Sequence, residues 1–127
     1  DVRMVCPIDW ENPQQSDGEL LNWMKTTGPV ADDPALHLQL LTYMSDTMVL
    51  DAGLIQHGRS WTQGELQVAI LDHAIWFHAP CRADEWLLHT ANLERNSGGR
   101  TLVRGRFYTR SGLHVATVMQ QGLMRKR

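Results

Sequence analysis

The longest apolar stretch of the chain, Leu66 to Pro80, constrains the fold more than any other feature. It reads LQVAILDHAIWFHAP, follows Gly64 and is rich in β-branched and aromatic residues, which is typical of a long β-strand. Alternate strand residues point to opposite faces, so Ile70 and Asp72 are expected on one face and His73 on the other. Both faces are mostly apolar, which predicts a central strand covered on both sides. Asp72 and His73 would then be buried and would need hydrogen-bond partners.

A helix is expected before this strand. Asp33 and Pro34 suit the N-cap and the first helical position, and the apolar pattern continues to about Leu50. The segment is apolar nearly all round, which predicts a buried helix. One face carries the polar residues Gln39, Thr42 and Asp46. Asp46 is either hydrogen-bonded for a structural reason or is a carboxylate lining a site.

The remaining segments predict further strands and turns. Strands are expected over Val2–Ile8, Leu20–Thr26, Glu85–Leu93, Thr101–Thr109 and His114–Met124, a loop over 51–64, and turns at Asn96–Gly99 and Ser111–Gly112. The weakly patterned residues 1–32 are alternatively an arm. Small residues such as Ala116 and Gly122 suit a last strand that lies close to the helix. Together these elements predict an α+β architecture in which one long helix packs on an antiparallel sheet.

Length and cysteine usage limit the class of protein. A chain of 127 residues is expected to form one domain. Cys6 and Cys81 have no CxxC spacing, so a reduced, cytoplasmic setting without a zinc or redox site is expected. No apolar run reaches the roughly 20 residues that span a membrane, and no signal peptide is recognisable. The chain starts at Asp1 without an initiator Met, which suggests processing or a piece of a longer protein.

Three sequence blocks resemble a known family. DHAIWFHAPCRADEWLL, SGGRTLVRGRFYTRSG and QQGLMR occur in that order, and together they resemble the C-terminal half of the type II acyl-CoA thioesterases, which carry two hotdog domains in one chain. The resemblance runs from about Asp33 to Arg125 and is weak over residues 1–32. It implies that residues 1–127 form a single hotdog domain, with one long buried helix wrapped by a curved antiparallel sheet.

The resemblance also implies an activity. Family members hydrolyse a fatty acyl-CoA to free acid and coenzyme A through an activated water, which leads us to expect a medium- or long-chain substrate. No cofactor is implied, because coenzyme A is part of the substrate.

The family orients this water with an Asp, a Thr or Ser, and a Gln. These positions correspond to Asp46, Ile70 and Gln120 in the present chain. Ile70 departs from the pattern, because its side chain can neither donate nor accept a hydrogen bond. The chain is therefore expected to be a thioesterase domain of reduced competence, or alternatively a non-catalytic hotdog that binds acyl-CoA or serves as a pairing domain.

The charge distribution suggests where coenzyme A could be held. Residues 95–127 contain eight Lys or Arg and no acid, whereas all fourteen acidic residues precede them. This polarity indicates either a surface that pairs with a complementary domain or a phosphate-attracting face. Arg104 and Arg106, with Gln39 and Thr42 of the helix, are the predicted substrate-binding residues; the two arginines are alternatively a solvated outer face. Nucleic acid is disfavoured by the acidic net charge and the lack of a recognised motif.

Two further expectations concern metals and assembly. The six histidines have no metal-ligand spacing, so no metal site is expected. The edges of a lone hotdog sheet tend to pair or aggregate. We therefore expect a homodimer, a higher oligomer, or a complex with a separate N-terminal hotdog half.

Overall fold

A single six-stranded antiparallel sheet forms the frame of the protein, whose residues 1–126 are described by a computed structural model. The strands are β1 (Val2–Met4), β2 (Glu19–Met24), β3 (Leu66–Phe77), β4 (Leu87–Ser97), β5 (Arg100–Thr109) and β6 (His114–Lys126), and the helices are α1 (Pro34–Met44), α2 (Asp51–Ile55) and a short 3₁₀ helix (Trp61–Gln63). The order across the sheet is β1-β2-β4-β5-β6-β3. This arrangement confirms the predicted antiparallel sheet and brings β1 and β2 into it, although β1 is shorter than expected. The last four strands do not form one meander: β4, β5 and β6 are consecutive neighbours, but β3 pairs with β6 and not with β4.

The apolar strand β3 lies at the edge of the sheet, so the prediction of a central strand covered on both sides is wrong. Within residues 1–126, its strand partner is β6 alone. Ile70, Leu71 and Trp76 are each about half exposed, and Asp72 is exposed as well. The carboxylate of Asp72 therefore keeps its solvation, and no buried partner is needed for it.

A β-bulge at Leu71 changes which side chains of β3 face the core. Ile70 lies opposite Gly122, and His73 lies opposite Gln120. The register shifts between Ile70 and Asp72. The extra residue reverses the alternation beyond it. Ile70 and His73 therefore share the inner face, and the prediction that Ile70 and Asp72 share a face is wrong. Asp72 and His73 still point to opposite faces, as predicted.

The helical segment is divided rather than continuous. The predicted start is confirmed, since the Asp33 side chain accepts a hydrogen bond from the backbone N–H of Ala35 at 2.9 Å. However, α1 ends at Met44, and residues 45–50 form turns before α2 begins inside the predicted loop. In α1 only His37 and Leu41 are buried. The expected all-round burial is therefore wrong, and an apolar side of α1 faces outward.

The core lies between the helical segment and the inner face of the sheet. Leu50 packs against Gly122, where an added Cβ would be only 2.5 Å from a Leu50 methyl carbon, and Gly53 packs equally closely against Thr101. The expected close approach at Gly122 is therefore confirmed. The buried apolar side chains include Leu20, Met24, Leu41, Val49, Leu54, Ile55, Leu87, Val103, Phe107, Val115 and Val118.

Helix length bears on membrane insertion. Among residues 1–126, every helix is too short or too polar to cross a bilayer.

Candidate active site

Asp46 and Gln120 meet at the end of α1. Gln120 lies in the middle of β6 with its side chain fully buried, and its Nε2 donates a hydrogen bond to Oδ1 of Asp46 at 2.5 Å. Asp46 lies in the turn after α1 and is exposed, so its carboxylate contacts both the buried amide and solvent. Within the described chain, Oε1 of Gln120 is buried without a hydrogen-bond partner. The pair thus presents an exposed carboxylate to solvent, with a buried amide oxygen behind it whose capacity to accept a hydrogen bond is unused.

Ser45 and His73 form a second polar pair beside the first. His73 lies directly opposite Gln120 in the sheet, and Ser45 precedes Asp46 in the chain. The Ser45 hydroxyl is 2.8 Å from Nε2 of His73 and donates a hydrogen bond to the carbonyl of Thr42 at 2.7 Å. Since that hydroxyl carries one hydrogen and donates it to Thr42, this arrangement makes Nε2 of His73 the donor.

These four residues are called the polar cluster below: Ser45, Asp46, His73 and Gln120. Sequence reasoning missed Ser45 and His73 as members. Ser45 precedes the predicted site residue Asp46 in the chain, and this was the available signal. His73 lies next to the predicted site residue Gln120 only in the folded sheet. The bulge at Leu71, which turns His73 inward, has no such signal.

Ile70 lies on the same inner face, next to the polar cluster and opposite Gly122. Its side chain is 47% exposed, so it faces open space rather than a packed core. The structure thus brings Asp46, Gln120 and the position of Ile70 to one region of the sheet. No hydroxyl is available there from Ile70, and the hydroxyl of Ser45 is buried and already engaged.

Beyond the polar cluster, the inner face of β3 is apolar toward both ends. Its inward residues, read from the pairing with β6, are Leu66, Val68, Ile70, His73, Ile75 and Phe77. At the Phe77 end, an apolar cavity of about 280 Å³ lies between the start of α1, at Pro34 and Leu38, and the segment that ends at Cys81. At the Leu66 end, a larger cavity is lined by basic residues. The polar cluster therefore lies between an apolar cavity and a cationic one.

Of the predicted substrate-binding residues, Thr42 contacts the polar cluster, but only through its backbone carbonyl, which accepts the Ser45 hydrogen bond. Gln39 is exposed on α1, and the Thr42 hydroxyl donates to the carbonyl of Leu38 at 2.8 Å. Arg104 and Arg106 alternate with the buried residues of β5 and so lie on the outer face of the sheet, where Arg104 pairs with Glu94 at 3.0 Å. The structure does not bring either arginine to the polar cluster.

Comparison with known proteins places the chain in a family. Residues 8–123 match the family model described as acyl-CoA thioesterase. Acyl-CoA thioesterase 2 of Haemophilus influenzae is 36% identical over 107 residues, which cover 84% of this chain and 37% of the relative. Acyl-coenzyme A thioesterase 8 of Homo sapiens is 30% identical over 126 residues, covering 98% of this chain and 39% of the relative. The chain thus spans less than half the length of these relatives.

Solved structures agree on the fold. An acyl-CoA thioesterase II from Mycobacterium marinum superposes with a TM-score of 0.84 at 39% identity, covering 100% of this chain and 49% of that one. A protein from Alicyclobacillus acidocaldarius, described as having a hot dog fold, superposes with a TM-score of 0.74 at 20% identity and covers 99% of this chain and 45% of that one. The predicted hotdog fold is therefore confirmed, and by its sequence match and its structure this chain belongs to the acyl-CoA thioesterase family.

Proposed function

We propose that this domain hydrolyses acyl-CoA thioesters and that Asp46 is the general base. The observation that carries the proposal is the contact between the exposed Asp46 carboxylate and the buried amide of Gln120. A carboxylate that is fixed by a buried donor and still open to solvent can hold a water molecule in one orientation. Positioned general-base catalysis contributes typically ~10²–10⁴-fold.

The proposed reaction needs no covalent enzyme intermediate. A water bound by the Asp46 carboxylate, which the amide of Gln120 holds in place, attacks the thioester carbonyl carbon and gives its proton to Asp46. The tetrahedral intermediate then collapses, the carbon–sulfur bond breaks, and the proton returns to the departing thiolate. The products are a carboxylic acid and coenzyme A. Because the amide of Gln120 does not titrate, its N–H donor is present at every pH.

A medium- or long-chain acyl group is the substrate we propose. The cavity at the Phe77 end of β3 is lined mainly by apolar residues, including Leu38 and Pro80. It begins four residues along the strand from His73, which corresponds to about 13 Å. With a volume of about 280 Å³, it lies near the lower end of ordinary ligand pockets, about 300–1,000 Å³. An acyl chain that leaves the polar cluster in this direction stays in apolar surroundings.

The variant Asp46→Asn tests the proposed base. The amide keeps the size and shape of the side chain but cannot take a proton from water. We expect kcat to fall by about 10²-fold or more, with the KM for acyl-CoA nearly unchanged, because a base acts mainly in the transition state. The measurement is steady-state hydrolysis of a long-chain acyl-CoA, with thermal melting as the folding check.

Asp72→Asn is the matched control, because it makes the same chemical change at an exposed carboxylate on the outer face of β3. It should retain wild-type turnover. Activity within a few-fold of wild type in a folded Asp46→Asn protein would show that Asp46 is structural and that the proposed mechanism is wrong.

A second candidate function is favoured by Ile70. Without the family's hydroxyl, the domain would bind acyl-CoA or serve as a pairing domain and would not hydrolyse the thioester. Titration calorimetry that shows acyl-CoA binding, together with an absence of coenzyme A release by the wild-type protein, would select this alternative.

A further inference from the structure

A cavity of about 510 Å³ opens beyond the Leu66 end of β3, where the β4–β5 hairpin and the segment after α2 converge. Its lining is strongly basic. The basic residues are His57, Arg59, Arg100, Arg125 and Lys126; they are called the cationic pocket below. None of the predicted substrate-binding residues belongs to it.

The segment that carries His57 and Arg59 is fixed to its surroundings. Nδ2 of Asn96 lies 2.9 Å from Nε2 of His57 and donates to the carbonyl of Gly53 at 3.1 Å. Further along the segment, the indole N–H of Trp61 donates to the buried carboxylate of Asp51. The pocket wall is therefore held in place before any ligand arrives, which lowers the entropy cost of binding.

The charges of the pocket are only partly neutralised. Arg59 pairs with Glu65 at 2.6 Å, and Nε of Arg125 donates to Oε1 of Gln67 at 3.3 Å. In the described part of the chain, Arg100 and Lys126 have no carboxylate within ion-pair distance. Guanidinium groups bind phosphate oxygens through paired N–H donors, so the pocket is suited to a phosphate-bearing ligand.

The pocket lies at a defined distance from the polar cluster. Arg100 pairs with Leu123 of β6, three residues past Gln120, and Lys126 is six residues past it. At about 3.3 Å per residue, these positions lie about 10 and 20 Å along the strand. Between the polar cluster and the cationic pocket, the inner face of β3 carries only apolar side chains, those of Ile70, Val68 and Leu66.

This distance matches a part of the substrate. The pantetheine arm of coenzyme A joins the thioester sulfur to the first phosphate by about twelve bonds, the equivalent of four peptide units, and so extends about 14 Å. An arm placed over Ile70 and Val68, with its sulfur at Asp46 and Gln120, brings the pyrophosphate to the end of the sheet. Lys126 lies there on the inner face, and Arg100, the first residue of β5, reaches the same rim from the outer face. The acyl chain then leaves in the opposite direction, toward Phe77.

We infer that the cationic pocket binds the phosphates of the coenzyme A portion of the substrate. This inference rests on the proposed thioesterase function for the direction of the ligand along β3. It assigns the phosphates to the Leu66 end of the sheet, where residues of both faces line the pocket, and not to Arg104 and Arg106 farther along the outer face.

The test is binding of free coenzyme A by titration calorimetry to Arg100→Gln/Lys126→Gln, a pair of exposed residues whose replacement should not affect folding. We expect Kd for coenzyme A to rise at least tenfold and Kd for pantetheine, which lacks phosphate, to remain unchanged. Arg3→Gln/Lys25→Gln is the matched control, because it removes the same charge near Trp86, where both cations lie over the indole ring. It should bind coenzyme A as the wild type does.

The outcomes separate this inference from the proposed function. Weaker coenzyme A binding by the pocket variant supports the phosphate site even if wild-type protein shows no hydrolysis. Equal loss of coenzyme A and pantetheine binding overturns it, as does unchanged coenzyme A binding. Loss of coenzyme A binding on Arg104→Gln/Arg106→Gln, but not on the pocket variant, places the phosphates on the outer face instead. The inference is also contradicted if the pocket variant weakens the binding only of acyl chains carried on an acidic carrier protein and leaves the binding of coenzyme A unchanged.

Discussion

At the scale of single residues, Ile70 is the position that most limits the proposed chemistry. In the proposed mechanism Asp46 binds the attacking water and Gln120 fixes Asp46, whereas Ile70 contributes only a hydrocarbon surface next to them. Its half-exposed side chain is bulkier than threonine and can occupy the space of the water. A hydroxyl at this position would offer the water a further hydrogen bond and would replace the ethyl group of isoleucine by a smaller group.

We expect Ile70→Thr to raise kcat on a medium- or long-chain acyl-CoA by tenfold or more, because poor orientation of a reacting group can cost on the order of 10²-fold. Since Ile70 is 47% exposed, the stability cost should stay below about 1 kcal/mol. The measurement is kcat, with denaturant unfolding as the stability check.

Ile70→Val is the matched control for this variant, since valine has the shape of threonine without its hydroxyl. An equal gain in both variants would assign the effect to volume and not to hydrogen bonding. Unchanged or lower activity of a folded Ile70→Thr protein would show that water is positioned by another group.

The sequence identifies these residues only in part. Asp46 and Gln120 can be assigned through the resemblance, since Asp46 ends the segment YMSD, residues 43–46, and Gln120 begins QQGLMR. His73 and Ser45 cannot, because strict alternation along β3 places His73 opposite to Ile70. A single unpaired residue, Leu71, reverses that alternation, and nothing in the apolar pattern marks where a bulge occurs.

At the scale of elements, β2 and β4 carry an unusual buried polar row. Asn22 and His89 are directly paired, both are fully buried, and none of their side-chain N or O atoms has a hydrogen-bond partner within residues 1–126. The ring of His89 stacks on Phe107 with centroids 4.5 Å apart. Burial lowers the pKa of His89 from 6.5 to about 4, because a charged imidazolium would lose its hydration there.

This pKa predicts a pH dependence of stability. Below pH 6.5 the unfolded chain binds a proton at His89, whereas the folded protein does not until about pH 4. Stability is therefore present above pH 6.5 and is lost as the pH falls toward 4, by up to about 3 kcal/mol. We expect His89→Leu to reduce the loss of unfolding free energy between pH 7 and 4.5 by about 2 kcal/mol.

Denaturant titrations of both proteins at the two pH values provide this measurement. His78→Gln, at an exposed histidine, is the control and should lose as much stability as the wild type. The same loss in His89→Leu and wild type would mean that other groups cause the acid sensitivity.

Local sequence patterns predicted which segments form helices and strands, but they did not predict how β3 and α1 are buried. Start signals located α1 at Asp33, and the glycines of the β4–β5 turn, Gly98 and Gly99, both adopt positive φ, as tight hairpins require. However, the apolar run of β3 and the apolar faces of α1 do not distinguish burial inside this chain from burial against another one. The end of α1 at Met44 was also missed. Met48, in the turns that separate α1 from α2, adopts a φ of 61° that is uncommon for a non-glycine residue, and no sequence signal marks it.

At the scale of the whole molecule, the two edges of the sheet are very different. β1 is a three-residue strand, whereas β3 is twelve residues long and exposes Leu71 and Trp76 together with a row of unpaired backbone groups. Long apolar edges tend to pair with another strand. Within residues 1–126, no element covers the outward apolar side of α1, where Tyr43 is 80% exposed. Both features favour a second hotdog domain placed against β3.

We therefore expect the chain to form a homodimer or a higher oligomer through β3 at micromolar concentration, or to bind a separate N-terminal hotdog half when one is supplied. Leu71→Lys should shift sedimentation toward the monomer, because a charge on an exposed edge disfavours strand pairing. Leu113→Lys makes the same change at an equally exposed leucine in the β5–β6 connection, and it should sediment as the wild type does. A wild-type protein that remains a well-behaved monomer, alone and with a hotdog partner, would refute pairing through β3. Equal dissociation of both lysine variants would instead show that the assembly does not depend on this edge.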